Sequence, residues 1–204
     1  MMSLYYKIHP VNPQLRLIRK AADLVRRGGV IVYPTDSTYA LGCHIEDKGA
    51  LDRIIRIRRL DAKHHFTLLC RDLSEVSIYA RFDTPTYRLM KFYSPGPYTF
   101  ILRATKDVPR RLLHPKQKTV CIRIPAHALA LALLEFLEEP IMTTTLRLPD
   151  EPYPLNDIEQ IQSRVGNNVD LVIDGGPCGT VATTLVDLTG DAPVFLRQGK
   201  GKWG

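Results

Sequence analysis

The segment from Val30 to Gly42 constrains this chain most, because an apolar run leads directly into a cluster of small polar residues. Its first four residues, Val-Ile-Val-Tyr, are β-branched or aromatic and typical of a buried strand. Pro34 then ends regular pairing, since proline has no amide hydrogen. Thr35, Asp36, Ser37 and Thr38 follow. Ligands of open α/β sheets lie beyond the carboxyl ends of strands, so these side chains predict a binding site. The alternative is an ordinary turn, in which such residues are common.

The chain length and composition predict one domain over residues 1–204. Of the 204 residues, 45% are hydrophobic and 24% charged, as in globular proteins, and no composition shift marks a linker. No apolar run is long enough to cross a membrane, and the first residues lack the pattern of a signal peptide. The four cysteines are widely spaced and form no C-x-x-C pair. We therefore expect a cytoplasmic protein without disulfides or a structural zinc site.

The charge balance is moderately basic. Lys and Arg number 28 against 21 Asp and Glu, which gives a formal net charge of +7 and a pI of about 9.3. Several cations fall in one stretch, between Arg103 and Lys118. This excess predicts a polyanionic partner such as nucleic acid, although a basic surface with no such role explains it equally well.

The order of predicted elements indicates an α/β fold. A strand at 5–8, a helix capped by Asn12 and begun by Pro13, and the strand at 30–33 form a strand–helix–strand unit. A second helix begins after Asp47. Further strands are predicted at 66–70, 98–103, 119–124, 141–145, 169–174, 181–188 and 194–196. Further helices are predicted at 73–79, 85–93, 126–137 and 158–165.

Arg58 is unusual because it falls on the apolar stripe of the helix that follows Asp47. An unpaired buried charge is costly, so we predict that Arg58 reaches the sheet edge or an anion. Arg53, Arg56 and Arg59 lie on a neighbouring strip of the same helix and are interpreted as a solvated face.

The polar residues predict binding rather than covalent catalysis. Hydroxyl groups cluster in three places: 35–38, 143–145 and 183–184. The chain has no nucleophile elbow, dinucleotide fingerprint or P-loop, and its histidines show no metal-ligand spacing. The turn Gly175–Gly179 could bring backbone amides to a phosphate, although a simple tight turn is the alternative. Hydroxyls combined with Arg58, Arg123 and Arg197 suit the positioning of an anionic ligand.

Six segments together resemble the YrdC-like family. Residues 33–42 (YPTDSTYALG) are similar to its Y-P-T-E-T-x-Y-G-L-G signature, and residues 94–102 (SPGPYTFIL) to its P-G-P-x-T segment. Residues 120–127 (VCIRIPAH) match V-x-x-R-x-P-x-H, and residues 173–178 match I-D-G-G. Residues 183–188 and 196–199 resemble S-T-V-V-D-L and L-R-x-G. The matches run in order over about residues 13–200 and look most like the YciO branch.

The resemblance implies a single-domain α/β fold with a twisted mixed sheet, flanking helices and a concave basic face. Enzymes of the family make threonylcarbamoyl-adenylate from L-threonine, bicarbonate and ATP, with Mg²⁺, for the t6A modification of tRNA. This chemistry needs reactants to be positioned and charge to be neutralised, and it needs no protein nucleophile.

The resemblance also implies roles for individual residues. Thr35, Thr184 and Arg123 match substrate-binding positions. The matching nucleotide-binding positions are Arg58, Thr145, Arg147 and Arg197. In this chain Arg58 replaces a lysine, Leu60 an arginine, Leu69 a frequent histidine, and Arg147 an asparagine.

Three hypotheses follow. The chain binds ATP or AMP together with double-stranded RNA or tRNA, with synthase-like activity toward L-threonine and bicarbonate. Alternatively, it is a non-catalytic RNA-binding protein that uses the basic face, and such binding weakens steeply with salt. A third hypothesis is a different nucleotide or carbamoyl chemistry in the same cavity.

Overall fold

Strands and helices alternate along most of the chain in the computed structural model, which describes residues 2–61, 64–114 and 116–203. The strands are β1 (Leu4–Lys7), β2 (Ile31–Pro34), β3 (Tyr39–His44), β4 (Thr67–Leu69), β5 (Ala80–Arg81), β6 (Tyr98–Ala104), β7 (Thr119–Arg123), β8 (Ile141–Thr145), β9 (Leu171–Asp174), β10 (Thr184–Asp187) and β11 (Val194–Arg197). The α-helices are α1 (Leu15–Arg26), α2 (Lys48–Arg58), α3 (Leu73–Tyr79), α4 (Thr84–Tyr93), α5 (Ala128–Leu137) and α6 (Ile158–Val165).

All of these strands belong to one mixed sheet. Its order is β1-β9-β2-β3-β8-β4-β7-β6-β10-β11, with β5 paired to β6. The pairs β1/β9, β9/β2, β4/β7 and β6/β10 are parallel, and the other pairs are antiparallel. The predicted α/β class with a mixed sheet is confirmed. Within the described residues, no helix is both long and apolar enough to cross a membrane.

Several predicted boundaries were wrong for local reasons. Asn12 does not cap α1, because its amide and that of Val11 donate to His9 Nδ1 in a preceding turn, and the cap is Gln14. Asp47 caps α2 as predicted, accepting from the Ala50 amide at 2.7 Å. The strand predicted at 181–188 is confined to 184–187, so Thr183 precedes a strand and Thr184 begins it, and neither ends one.

Strand β3 was not predicted at all. Its residues are buried on both faces, so they show no alternating pattern. β3 pairs with β2 on one side and β8 on the other, with Ala40 opposite both Tyr33 and Thr145. Because adjacent strands are about 4.8 Å apart, the ends of β2 and β8 leave the sheet about 10 Å from each other. β3 thus sets the spacing between two of the predicted hydroxyl clusters.

The sheet has an apolar cluster on each face, but one face becomes polar part-way across. On that face α1 and α5 cover β9, β2 and β3 through residues such as Ile18 and Leu133. Beyond this cover, Thr143, Thr67 and Cys121 stand in register across β8, β4 and β7. Arg123 is two residues beyond Cys121, so it lies on the same face. We call this region the polar face.

Candidate functional site

The loop after β2 is a buried and internally bonded turn. The Thr35 hydroxyl donates to the Thr38 carbonyl at 2.7 Å and accepts from the amides of Ser37 and Thr38 at 3.2 Å each. Thr35, Ser37 and Thr38 are all buried. The residue types are therefore those of a turn, as the alternative interpretation proposed. This turn gives the loop one fixed shape against which other groups pack.

Arg123 connects the polar face to this loop. Its Nη1 donates to Ser37 Oγ at 3.0 Å, and its Nη2 pairs with Asp36 Oδ1 at 2.5 Å. The two charged side chains are only 8% and 11% exposed. Among the described residues, no partner reaches Arg123 Nε or Asp36 Oδ2. The structure thus brings two predicted substrate positions, Thr35 and Arg123, together. Sequence reasoning missed the link through Asp36, because nothing local signals a partner 87 residues away.

Arg58 reaches the edge of the sheet at which β8 ends, as predicted. It is the last residue of α2, and its Nη1 donates to the Thr144 hydroxyl at 3.2 Å and to the Thr145 carbonyl. Burial and the neighbouring Arg147 lower the pKa of Arg58 to about 10. Within residues 2–61, 64–114 and 116–203, neither arginine forms an ion pair with a carboxylate. Two adjacent cations without an acidic partner are suited to an anion.

His64 is a member of this cluster that sequence reasoning missed. Its Nε2 lies 3.2 Å from the Thr144 hydroxyl, which also accepts from Arg58. Burial first, and then Arg58, lower the pKa of His64 to about 4, so the imidazole is neutral at pH 7. A lone imidazole beside an arginine has no metal-ligand spacing, so no pattern in the sequence indicates His64.

The remaining predicted residues lie near the start of β10. Thr184 is fully buried, and its hydroxyl donates to the Gly201 carbonyl at 2.5 Å and accepts from the Gly199 amide at 3.0 Å. Arg197 donates to the Thr183 carbonyl, and burial lowers its pKa. The Thr183 hydroxyl is 2.7 Å from that of Thr99, on the polar face. The structure therefore brings Thr183, rather than Thr184, to the polar face.

The other arginines of α2 divide into two kinds. Arg53 pairs with Asp170 at 2.7 Å and is half-buried, so it belongs to the packing of the fold. Arg56 and Arg59 are exposed, as expected of a solvated face.

The glycine-rich turn after β9 is tight, with Gly176 at a φ of +85° and its amide donating to Asp174 Oδ1.

The resemblance implies Mg²⁺, and the donor set can be tested against it. In the part of the chain that the structure describes, no group of three or more His, Cys, Asp or Glu side chains could hold a metal ion. Magnesium is commonly bound through substrate phosphates and water, with few protein ligands. A magnesium ion here would therefore arrive with the nucleotide.

Comparison with known proteins places the chain in a family. The Sua5_yciO_yrdC family model, described as "Telomere recombination", matches residues 23–199. The chain belongs to the Sua5/YciO/YrdC family. This confirms the resemblance seen in the sequence motifs.

Two family members illustrate the similarity in sequence and structure. YciO of Escherichia coli K12 is 56% identical over 200 residues, 98% of this chain and 97% of YciO. The crystal structure of E. coli YciO superposes with a TM-score of 0.95 and 98% coverage of both chains. The threonylcarbamoyl-AMP synthase of Pyrococcus abyssi is 31% identical over 184 residues, 89% of this chain but 54% of the synthase. The crystal structure of P. abyssi Sua5 complexed with L-threonine has a TM-score of 0.88 at 28% identity, covering 97% of this chain and 58% of Sua5.

Proposed function

We propose that the protein binds ATP and L-threonine and forms threonylcarbamoyl-adenylate, with an anion site built differently from the family pattern. The observation that carries the proposal is Arg58, fixed on the end of β8 beside Arg147 with no carboxylate partner among the described residues. The synthase relatives at about 30% identity and the threonine complex of Sua5 support the choice of substrates.

The proposed reaction uses the protein to position and neutralise. The threonine amine takes up bicarbonate with loss of water, giving a carbamate. A carbamate oxygen then attacks the α-phosphorus of ATP, and the bond to the β-phosphate breaks to release pyrophosphate. Arg58, Arg147 and the Thr145 hydroxyl face the phosphates, and Arg197 completes the nucleotide site. The loop held by Arg123 positions threonine at Thr35.

Arg147 compensates in this proposal for the family arginine that Leu60 replaces. Leu60 is partly buried against the apolar core, so it offers no charge to a phosphate. Arg147 is exposed just beyond β8 and close enough to Arg58 to depress its pKa. The positive charge of the site is thus kept in a different place. Arg58 in turn replaces a family lysine. A guanidinium forms two directed hydrogen bonds where a lysine presents a point charge, so we expect the protein to bind nucleotide but to turn it over at a different rate.

The test is pyrophosphate release from ATP that depends on both threonine and bicarbonate. We expect turnover in the wild type, and at least tenfold loss in Arg58→Ala, because charge-assisted contacts to phosphate are removed. Arg56→Ala is the matched control, since Arg56 is on the same helix but exposed. Equal rates in wild type and Arg58→Ala, or no substrate-dependent release at all, would refute the synthase proposal. Nucleotide binding by equilibrium dialysis then decides whether a different nucleotide chemistry remains.

A second proposed function is binding of double-stranded RNA or tRNA. A cleft of about 420 Å³ is lined by Arg81, Arg103 and Lys118, and no carboxylate is found among its described lining residues. All three cations are exposed, and none forms an ion pair within the described residues. Closely spaced unpaired cations match the repeating charge of a phosphate backbone. The cleft therefore gives the basic composition a specific place on the molecule.

Fluorescence anisotropy with labelled tRNA and with a double-stranded RNA tests this function. We expect binding that weakens steeply with salt, and a slope of log K against log salt that falls by about one in Arg81→Ala. Lys118→Asn is a second test variant with the same expected change in slope. Asparagine is chosen because Lys118 has a φ of +52°, a conformation that asparagine tolerates. Arg88→Ala, an exposed arginine of α4, is the control. Salt-insensitive or absent binding would rule RNA out, whereas RNA binding without pyrophosphate release would favour a non-catalytic module.

A further inference from the structure

A cavity of about 730 Å³ opens at the carboxyl ends of β1, β9 and β2. Lys7 and Asp174, the last residues of β1 and β9, form one wall, and Thr35 and Asp36, just after β2, form another. His127 at the start of α5 also lines the cavity. None of Arg58, Thr145, Arg147 or Arg197 lines it, so it is separate from the proposed phosphate site, and it shares only Thr35 with the proposed threonine position. Carboxyl ends of parallel strands are the usual place for ligands in such sheets.

The acidic side chains of the cavity are already engaged. Asp36 pairs through Oδ1 with Arg123. Asp174 accepts from the Tyr5 hydroxyl at 2.6 Å through Oδ2 and from the Gly176 amide at 2.9 Å through Oδ1. The charge of Asp36 is therefore balanced by Arg123, whereas Asp174, with neutral donors only, keeps its negative charge opposite Lys7.

The basic groups, in contrast, are free of acids. Lys7 and Lys200 are exposed, and within residues 2–61, 64–114 and 116–203 neither forms an ion pair. Lys200 is fixed beside the cavity by donating to the Asp36 carbonyl. Because Arg123 balances Asp36, the two lysines outweigh the one remaining carboxylate, Asp174, and the cavity wall is net positive.

The glycine-rich turn adds backbone donors. Cys178 and Gly179 line the cavity, and in the described part of the chain their amides have no protein acceptor. Gly176 has a φ of +85°, and a side chain added there would meet nothing within 4 Å, so the turn leaves open space beside the backbone. Successive backbone amides in such turns form concave sites for anions.

We propose that this cavity is a second ligand site that takes a small molecule bearing a phosphate or carboxylate group. Lys7, Lys200 and the amides of the turn bind the anionic group. Ile8, Pro10 and Pro177 in the same wall pack against its carbon part. The volume is within the range of small-molecule sites. Its anion-binding groups, Lys7, Lys200 and the amides of the turn, are not used by the proposed synthase site, although both sites border Thr35.

The test is an amide NMR titration of the full-length protein with inorganic phosphate and, separately, with acetate. We expect at least one anion to shift the Cys178 and Gly179 amides saturably. The double variant Lys7→Ala/Lys200→Ala weakens that binding at least tenfold, Lys7→Arg/Lys200→Arg restores it, and Lys91→Ala on α4 leaves it unchanged. If only phosphate shifts these amides, the natural ligand carries a phosphate group. If only acetate shifts them, it carries a carboxylate group.

Arg58→Ala separates this site from the proposed phosphate site. We expect that variant to lose pyrophosphate release and keep the anion-induced shifts of the glycine-rich turn. No saturable shift with either anion, unchanged affinity in Lys7→Ala/Lys200→Ala, or loss of the shifts in Arg58→Ala would overturn the proposal.

Discussion

Arg58 and Thr144 are 86 residues apart in the chain, yet Arg58 Nη1 lies 3.2 Å from the Thr144 hydroxyl. This contact joins the end of α2 to the end of β8 and leaves the guanidinium next to Arg147. The free protein therefore holds two like charges together, which is unfavourable unless an anion binds between or beside them.

Removing Arg147 should stabilise the free protein and weaken its nucleotide binding. The like-charge repulsion with Arg58 is relieved in Arg147→Ala, and pairs near the surface are worth about 0.2–1 kcal/mol. For a chain of this size we expect the melting temperature to rise by about 1–3 °C. Differential scanning calorimetry without and with ATP measures both effects. Arg56→Ala on α2 is the control, since Arg56 is exposed and forms no ion pair within the described residues, and a lower melting temperature in Arg147→Ala would contradict the interpretation.

Breaking the Asp36–Arg123 pair from one side should be costly. Asp36→Ala leaves the Arg123 charge buried without its partner, and we expect a loss of about 3–5 kcal/mol in the free energy of unfolding. Asp36→Ala/Arg123→Met removes both charges, so its loss should be smaller than the sum of the two single losses. Urea unfolding of the four proteins gives the coupling. Additive losses would show that the pair does not hold the loop.

His64 should contribute to acid sensitivity. Its pKa is depressed in the folded state to about 4 from the ordinary 6.5, so between these values the unfolded chain binds more protons. The stability linked to His64 is therefore complete above about pH 6.5 and is lost as the pH falls toward 4. Urea unfolding from pH 7.5 to 4.5 should show a shallower decline for His64→Gln. His65 and His127, whose pKa values are also lowered by burial, leave a residual slope in that variant.

Gly42 should tolerate no side chain. A Cβ there would lie 2.8 Å from both Tyr33 Cε1 and Ile141 Cγ2, in the fully buried centre of the sheet. We expect Gly42→Ala to lower the free energy of unfolding by about 1–3 kcal/mol. Gly49→Ala in α2 meets only Asp47 Oδ1, at 3.4 Å, and should raise it by about 0.5–1 kcal/mol. The same direction of change in both variants would show that packing at Gly42 is not the cause.

Much of the fold was predictable because most strands and helices carry local patterns. The cap at Asp47 depends only on neighbouring residues and was predicted correctly. The strand predicted at 30–33 lies at Ile31–Pro34, and Pro34 does not end the pairing, because it is still in register with Tyr39. β3 was missed, since burial on both faces erases alternation. In the site, Arg58 could be predicted from its misfit with the apolar stripe, whereas His64 and Asp36 act through partners distant in sequence. Such partners become visible only when the strands are assembled.

The sheet order also determines when the chain can complete its structure. β1 lies at the edge of the sheet, and its strand partner is β9, which pairs Leu4 with Leu171 and Lys7 with Asp174. β1 is therefore made well before its strand partner, and β2 needs the same later strand for its parallel pairing. Non-local pairings of this kind fold slowly. β1 and β2 should therefore emerge during synthesis with these strand edges open, and this part of the sheet can close only after β9 has been made.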